Sequence, residues 1–219
     1  MGESGVTEAF DWSWLQRAID APLITLDIYV GIPEGLSKQV EVVDGHLITC
    51  ESPGPSHQAI QHNLVAAFRE AIKDLDARDQ TCHKVNGDLD MLITEVPRLH
   101  YRRPDVLVYR CVNDDRGKWR RKPYASDCML VVEIVSPDSV TTDTQDKLAE
   151  YAEAGIPHYW IVKMAGNDGP VVSIDRFRLS LSREYVSEGV AVRGRSILAA
   201  DTIDPLIAQI TWEQLDDGL

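Results

Sequence analysis

The stretch MLVVEIVSPDS, Met129 to Ser139, limits the fold more than any other part of the chain. Six of its first seven residues are apolar, so it reads as a strand buried on both faces or as a short buried helix. Thr142 and Gln145 follow as a T-x-x-Q capping pattern at a helix start. That helix ends at Gly155, Pro157 stops it, and HYWIV begins another strand. Inside the first run stands Glu133. A carboxylate there is costly unless something pairs with it, protonates it or coordinates it.

The flanking sequence completes an α/β pattern. TEAFDWSWLQRAID has helical spacing in Phe10, Trp14, Leu15 and Ala18, and Pro22 stops it. QVEVVDGHLITCE is two β-rich runs joined by Asp44-Gly45, a strong hairpin signal. Ser56 to about Leu75 is the best helix, with Ile60, Leu64, Ala67, Phe68, Ala71 and Leu75 along one stripe and Pro55 just outside its start. Strands are expected around Thr81 to Val85, Leu89 to Glu95 and Val106 to Tyr109. Hairpin-like sequence fills Val171 to Val192, and a short helix the tail DTIDPLIAQITWEQL. One α/β domain accounts for this, its mixed sheet carrying Asp105 and Glu133 on central strands.

Composition narrows the function. No run approaches the roughly 18 apolar residues of a membrane helix, so no membrane association is expected. MGESGVTEAFDW lacks the basic and apolar regions of a secretory signal. Cys50, Cys82, Cys111 and Cys128 are widely spaced, which reads as reduced thiols of a cytoplasmic protein without zinc or disulfides. The net charge of −13 argues against tight nonspecific binding to nucleic acid, without excluding a local basic patch or ion-bridged contact. Walker A, Rossmann, G-x-S-x-G and H-E-x-x-H patterns are absent.

Three residues could carry chemistry together: Asp105 after Pro104, Glu133, and Lys147 on the following helix. Paired carboxylates suit Mg²⁺ or Mn²⁺, which polarises a phosphoryl oxygen and activates water. A nearby lysine can orient that water, accept its proton if its pKa is depressed so that it is a neutral amine, or as the ammonium steady charge on phosphate. Lys147 lies at the edge of the stripe formed by Leu148, Tyr151 and Ala152, one turn before Tyr151.

Plainer roles stand beside these. Asp105 could simply open a strand, Lys147 could pair with Asp143 or Glu150, and Glu133 could pair with Arg102 or Arg103. His57 and His62 are five apart and do not share a helix face; His57 borders a cleft or serves as a helix-terminal polar residue. Glu41 and Asp44 are hairpin acids, usually solvated. RGKWRRK, with Arg116, Lys118, Trp119, Arg120, Arg121 and Lys122, is either a solvated loop or a nucleic-acid contact in which Trp119 stacks on a base or sugar.

The blocks QVEVVDGHLI, ESPGPSHQAIQHNLVAAF, RRPDVLVY, LVVEIVSPDS and DTQDKLAEYAEAGIPHYWIV, over roughly residues 38 to 163, resemble the Uma-type restriction endonuclease family of the PD-(D/E)XK nuclease superfamily. The resemblance implies a restriction-endonuclease-like fold, a mixed central sheet flanked by helices, here with an N-terminal helix and β-hairpin additions. It implies Asp105 and Glu133 as ligands of Mg²⁺ or Mn²⁺, Lys147 as the lysine moved to the helix, and Glu41 as a further acid lining the site. Val135 stands where the superfamily usually has its lysine, and Lys163 where the family usually has an aspartate after Y-W-I-V. The expected layout is an N-terminal extension at 1–37, a nuclease-like domain at 38–195 and a tail at 196–219. The expected function is hydrolysis of nucleic acid, DNA favoured, by a cytoplasmic protein that could act as a homodimer. Two alternatives stay open: a catalytically silent nuclease-fold protein that binds nucleic acid or a protein partner, and a metal-dependent hydrolase of a smaller phosphate ester.

Overall fold

The computed structural model describes residues 22–50, 52–119, 122–137, 142–198 and 206–219. The helix expected between Thr7 and Asp20, the side chains of Thr142 and Gln145, and both Arg120 and Arg121 lie outside the described residues.

Two sheets form the scaffold. The larger has six strands in the order β10-β9-β8-β7-β6-β3. Its centre is β6 (Val106–Arg110), β7 (Cys128–Val135) and β8 (His158–Met164), whose side chains are almost all buried. β3 (His83–Gly87), β9 (Val171–Leu179) and β10 (Tyr185–Val192) complete it. Only β7 and β8 run parallel, so the sheet is mixed, as expected. The smaller sheet, order β2-β1-β5-β4, is antiparallel. It contains β1 (Val40–Val43), β2 (His46–Thr49), β4 (Met91–Thr94) and β5 (His100–Arg102). Asp44 and Gly45 both take positive φ in the β1–β2 turn, which is why that dipeptide announces the hairpin.

Helices cover both faces of the larger sheet. After the short α1 (Leu26–Val30) and α2 (Glu34–Ser37), α3 runs from Pro55 to Asp79, with proline in its first turn rather than outside it. Ile60, Leu64, Phe68, Ile72 and Leu75 pack on one face with Val106, Val108, Val132, Trp160 and Val162. On the other face α4 (Thr142–Glu153) sets Tyr151 among Leu107, Val131, Val135, Tyr159 and Ile161. Glu133, sharing the alternation of Val131 and Val135, therefore points toward α4. The C-terminal α5 (Trp212–Leu215) and residues Leu206, Ala208 and Ile210 join the α3 core.

Two expectations change. β5 is a strand despite its polar sequence, because His100 and Arg102 are buried with charged partners. Cys82 and Cys111, expected as separate thiols, are disulfide-bonded. The antiparallel register pairing His83 with Arg110 brings the preceding and following residues opposite each other, and the Cys111 N–H donates to the Cys82 carbonyl. Cys50 and Cys128 are free thiols.

Candidate active site

The site lies at the seam between the sheets. β5 ends at Arg102, and the chain passes through Arg103 and Pro104 into Asp105 and β6. Continuing the Val106–Val132 register by one step sets Asp105 beside Glu133. The Ile134 N–H donates to Asp105 Oδ2 at 2.6 Å, fixing that carboxylate against β7. His57 Nε2 lies 2.9 Å from Asp105 Oδ1, and Gln61 Nε2 donates to the Asp105 carbonyl at 2.9 Å. Both come from the first turns of α3. Gly87 makes that approach possible: a Cβ there would stand 3.0 Å from the Gln61 amide and 3.2 Å from the Asp105 carbonyl.

Glu133 is 6% exposed. Tyr151 donates its hydroxyl to Oε1 at 2.7 Å, and Lys147 Nζ donates to Oε2 at 3.2 Å. Lys147 and Tyr151 are one turn apart on α4 and so reach one carboxylate together. Burial pushes the Glu133 carboxyl up to about 7; Lys147 and the Tyr151 hydrogen bond oppose this, while the charges of Asp105 and Glu41 add to it. Burial pulls the His57 imidazole downward, but the hydrogen bond and charge of Asp105, with Asp88 and Glu133, outweigh it and raise its pKa.

The plainer pairings with Arg102, Arg103 and Glu150 are answered by the same geometry, while the side chain of Asp143, the other candidate partner of Lys147, lies outside the described residues. Arg102 binds Glu41 and Glu150, and Arg103 binds Asp90. Glu41, expected to be solvated if it were an ordinary hairpin acid, is 5% exposed, taking the Arg102 guanidinium on Oε2 and the Arg103 N–H on Oε1. Glu150, the candidate partner of Lys147, is held by Arg102 and His100.

The basic loop differs from its stacking role. Trp119 is 2% exposed, packed against Tyr29 and Tyr101, and donates its indole N–H to the Pro123 carbonyl. Arg116 binds Asp114 and Asp127, Lys118 binds Asp27, and Lys122 binds Asp90. A cleft of about 410 Å³ lies here, lined in part by Lys38, Asp88, Arg103, Lys118 and Lys122.

Sequence reasoning did not single out Tyr151, Gln61 or Arg102 as site residues. Tyr151 was legible only as a core residue, although its spacing from Lys147 allows both to serve Glu133. Gln61 and Arg102 carry no local signal, since their partners are 44 and 61 residues distant in sequence.

Among the described residues, no three His, Cys, Asp or Glu side chains are grouped so as to hold a metal ion. Two neighbouring carboxylates nevertheless suit Mg²⁺ or Mn²⁺, which commonly take one or two protein carboxylates and complete their shell with water and substrate phosphate. Burial does most to raise the Glu133 pKa, with the charges of Asp105 and Glu41 adding to it, and a divalent cation beside it would favour the ionised form. The donor set of Asp105 and Glu133 thus fits such an ion.

Comparison with solved structures gives a crystal structure of a putative nuclease belonging to DUF820 from Anabaena variabilis, with a TM-score of 0.61 and 18% identity over 89% of this chain and 98% of that one. At that identity the likeness shows the fold. No curated protein matches the chain. The model of the Uma2 family matches residues 26–209, and the chain belongs to that family, whose description is "Putative restriction endonuclease".

Proposed function

We propose that the protein is a nuclease that hydrolyses phosphodiester bonds with Mg²⁺ or Mn²⁺, DNA being the favoured substrate. The observation that carries this reading is the buried Glu133, flanked by Asp105 and capped by Lys147 and Tyr151. Asp105 and Glu133 would hold the ion. When bound, it would supply a polarised phosphoryl oxygen and a water of lowered pKa.

The remaining work belongs to the side chains. His57 and the Ile134 N–H hold both oxygens of Asp105 in one orientation. The Tyr151 hydroxyl fixes the Glu133 rotamer and excludes water from its inner side. Lys147, moving from Glu133 Oε2, would orient the attacking water as the ammonium, or as the neutral amine take its proton; either way the resulting ammonium steadies the developing phosphate charge. Hydrolysis in line breaks the bond to the leaving oxygen as the water oxygen bonds to phosphorus.

One observation favours the catalytically silent reading: Lys147 is already engaged on Glu133, and Arg116, Lys118 and Lys122 are paired with acids. Cleavage of plasmid DNA, single-stranded DNA and RNA with Mg²⁺ or Mn²⁺ separates the two. The nuclease reading expects cleavage by the native protein and loss of it in folded Asp105→Ala, Glu133→Ala and Lys147→Ala. Equal cleavage by all four proteins, or none by any, would reject it.

A further inference from the structure

We infer that Arg102 is a positioning residue that ties α4 to the smaller sheet and thereby sets Lys147 and Tyr151 on Glu133. The inference depends on the nuclease reading only for the activity part of its test.

Arg102 is 2% exposed. Its Nε and Nη2 donate to the two oxygens of Glu150 on α4, both at 2.7 Å, while Nη1 donates to Glu41 Oε2 on β1 at 2.9 Å. Burial opposes the guanidinium charge, but the bonds and charges of Glu150 and Glu41 overcome this and raise its pKa. A fork gripping both carboxylate oxygens fixes direction as well as distance, which an ammonium cannot do.

Glu150 lies three residues after Lys147 and one before Tyr151, so the clamp and the residues that touch Glu133 share one helical turn. A slip of one residue would move that turn about 1.5 Å along the axis and rotate it by about 100°. The apolar anchorage of α4 among its described residues is narrow: Tyr151 and Ala152 are buried, and Leu148 is half-buried. Arg102, with His100 Nε2 also 3.3 Å from Glu150 Oε2, supplies the hold on the side facing the smaller sheet. Its other ligand, Glu41, takes the Arg103 N–H on Oε1 at 2.7 Å and so fixes the chain two residues before Asp105. One guanidinium thus joins the helix carrying Lys147 to the segment carrying Asp105. On this account Glu41 acts through Arg102 and Arg103 as a positioning acid.

Hydrogen exchange followed by mass spectrometry on the full chain tests the clamp without calling on activity. Arg102→Met, Arg102→Lys and Glu150→Gln should each speed exchange in residues 147–153 by roughly tenfold or more, with residues 60–75 of α3 unchanged. Unchanged exchange in α4 would overturn the inference. If Arg102→Met does not fold, Arg102→Lys and Glu150→Gln decide. In the activity part, Arg102→Met should lower kcat by roughly 10- to 100-fold with KM little changed, and Arg102→Lys should restore part of the loss. A native protein that cleaves nothing would sink the nuclease reading, and the exchange result would still judge the clamp.

Discussion

The seam between the sheets and the loop from Arg116 to Lys122 both bring acids and bases together, with opposite electrostatic results. In the loop each described cation has a carboxylate: Arg116 has Asp127, Lys118 has Asp27 and Lys122 has Asp90. Asp90 shows the outcome, because Arg103, Lys122 and the Tyr29 hydroxyl overcome its burial and keep its pKa below the usual carboxylate range. At the seam, Glu133 is buried beside Asp105 and Glu41, and its pKa moves the other way, to about 7. Burial does most to set that rise, and the Lys147 charge opposes it without cancelling it. On the proposed reading the loop is structure and the seam holds the chemistry.

The sharpest way to break this contrast is at the carboxylates. Asp105→Asn, nearly isosteric, should lower DNA cleavage by about 10⁴-fold or more while leaving the circular dichroism spectrum intact. A variant within tenfold of the native rate would remove Asp105 from the chemistry. In the loop the expected loss is of stability. Trp119→Ala should cost about 3–5 kcal/mol in urea unfolding, because it empties the space between Tyr29 and Tyr101. If Trp119→Ala instead weakens binding of single-stranded DNA with unfolding unchanged, the loop is a contact surface after all.

A smaller effect is read from the pH dependence of stability at the Arg102–Glu150 pair. Burial raises the Glu150 carboxyl, but the hydrogen bonds and charges of His100 and Arg102 outweigh it and lower its pKa to about 2. A carboxyl depressed on folding adds stability above its unfolded pKa and loses it as pH falls. Glu150 should therefore contribute above about pH 4.5, and that contribution should fade between about 4.5 and 2. Glu150→Gln should flatten this part of the stability profile; an unchanged acid limb would mean that the pair does not stabilise the fold. The smallest effect belongs to the exposed Lys118–Asp27 pair. Lys118→Ala should change stability by less than about 0.5 kcal/mol.

How much of this the sequence reveals depends on the range of the interactions. The α3 stripe, the Asp44-Gly45 turn and the apolar strands are local patterns, and each marks its element. Glu133 is conspicuous for a physical reason, since a carboxylate in an apolar run demands a partner. Its partners are less visible. Arg102 and Arg103, the guanidinium partners the sequence suggests for Glu133, bind Glu41, Glu150 and Asp90. Tyr151 looks like any core aromatic until its hydroxyl is placed. Trp119 among five basic residues suggests a solvent-facing loop, and its burial comes from Tyr29 and Tyr101, both distant in sequence. Cys82 and Cys111 become neighbours only through the β3–β6 register.

The most direct measurement of the central claim is calorimetric titration of Mn²⁺ into the native protein, Asp105→Asn and Glu133→Gln. The account predicts a binding event in the native protein that both substitutions abolish while the fold is kept. Equal binding by all three proteins, or none by the native one, would contradict the assignment of the seam as a metal-dependent site.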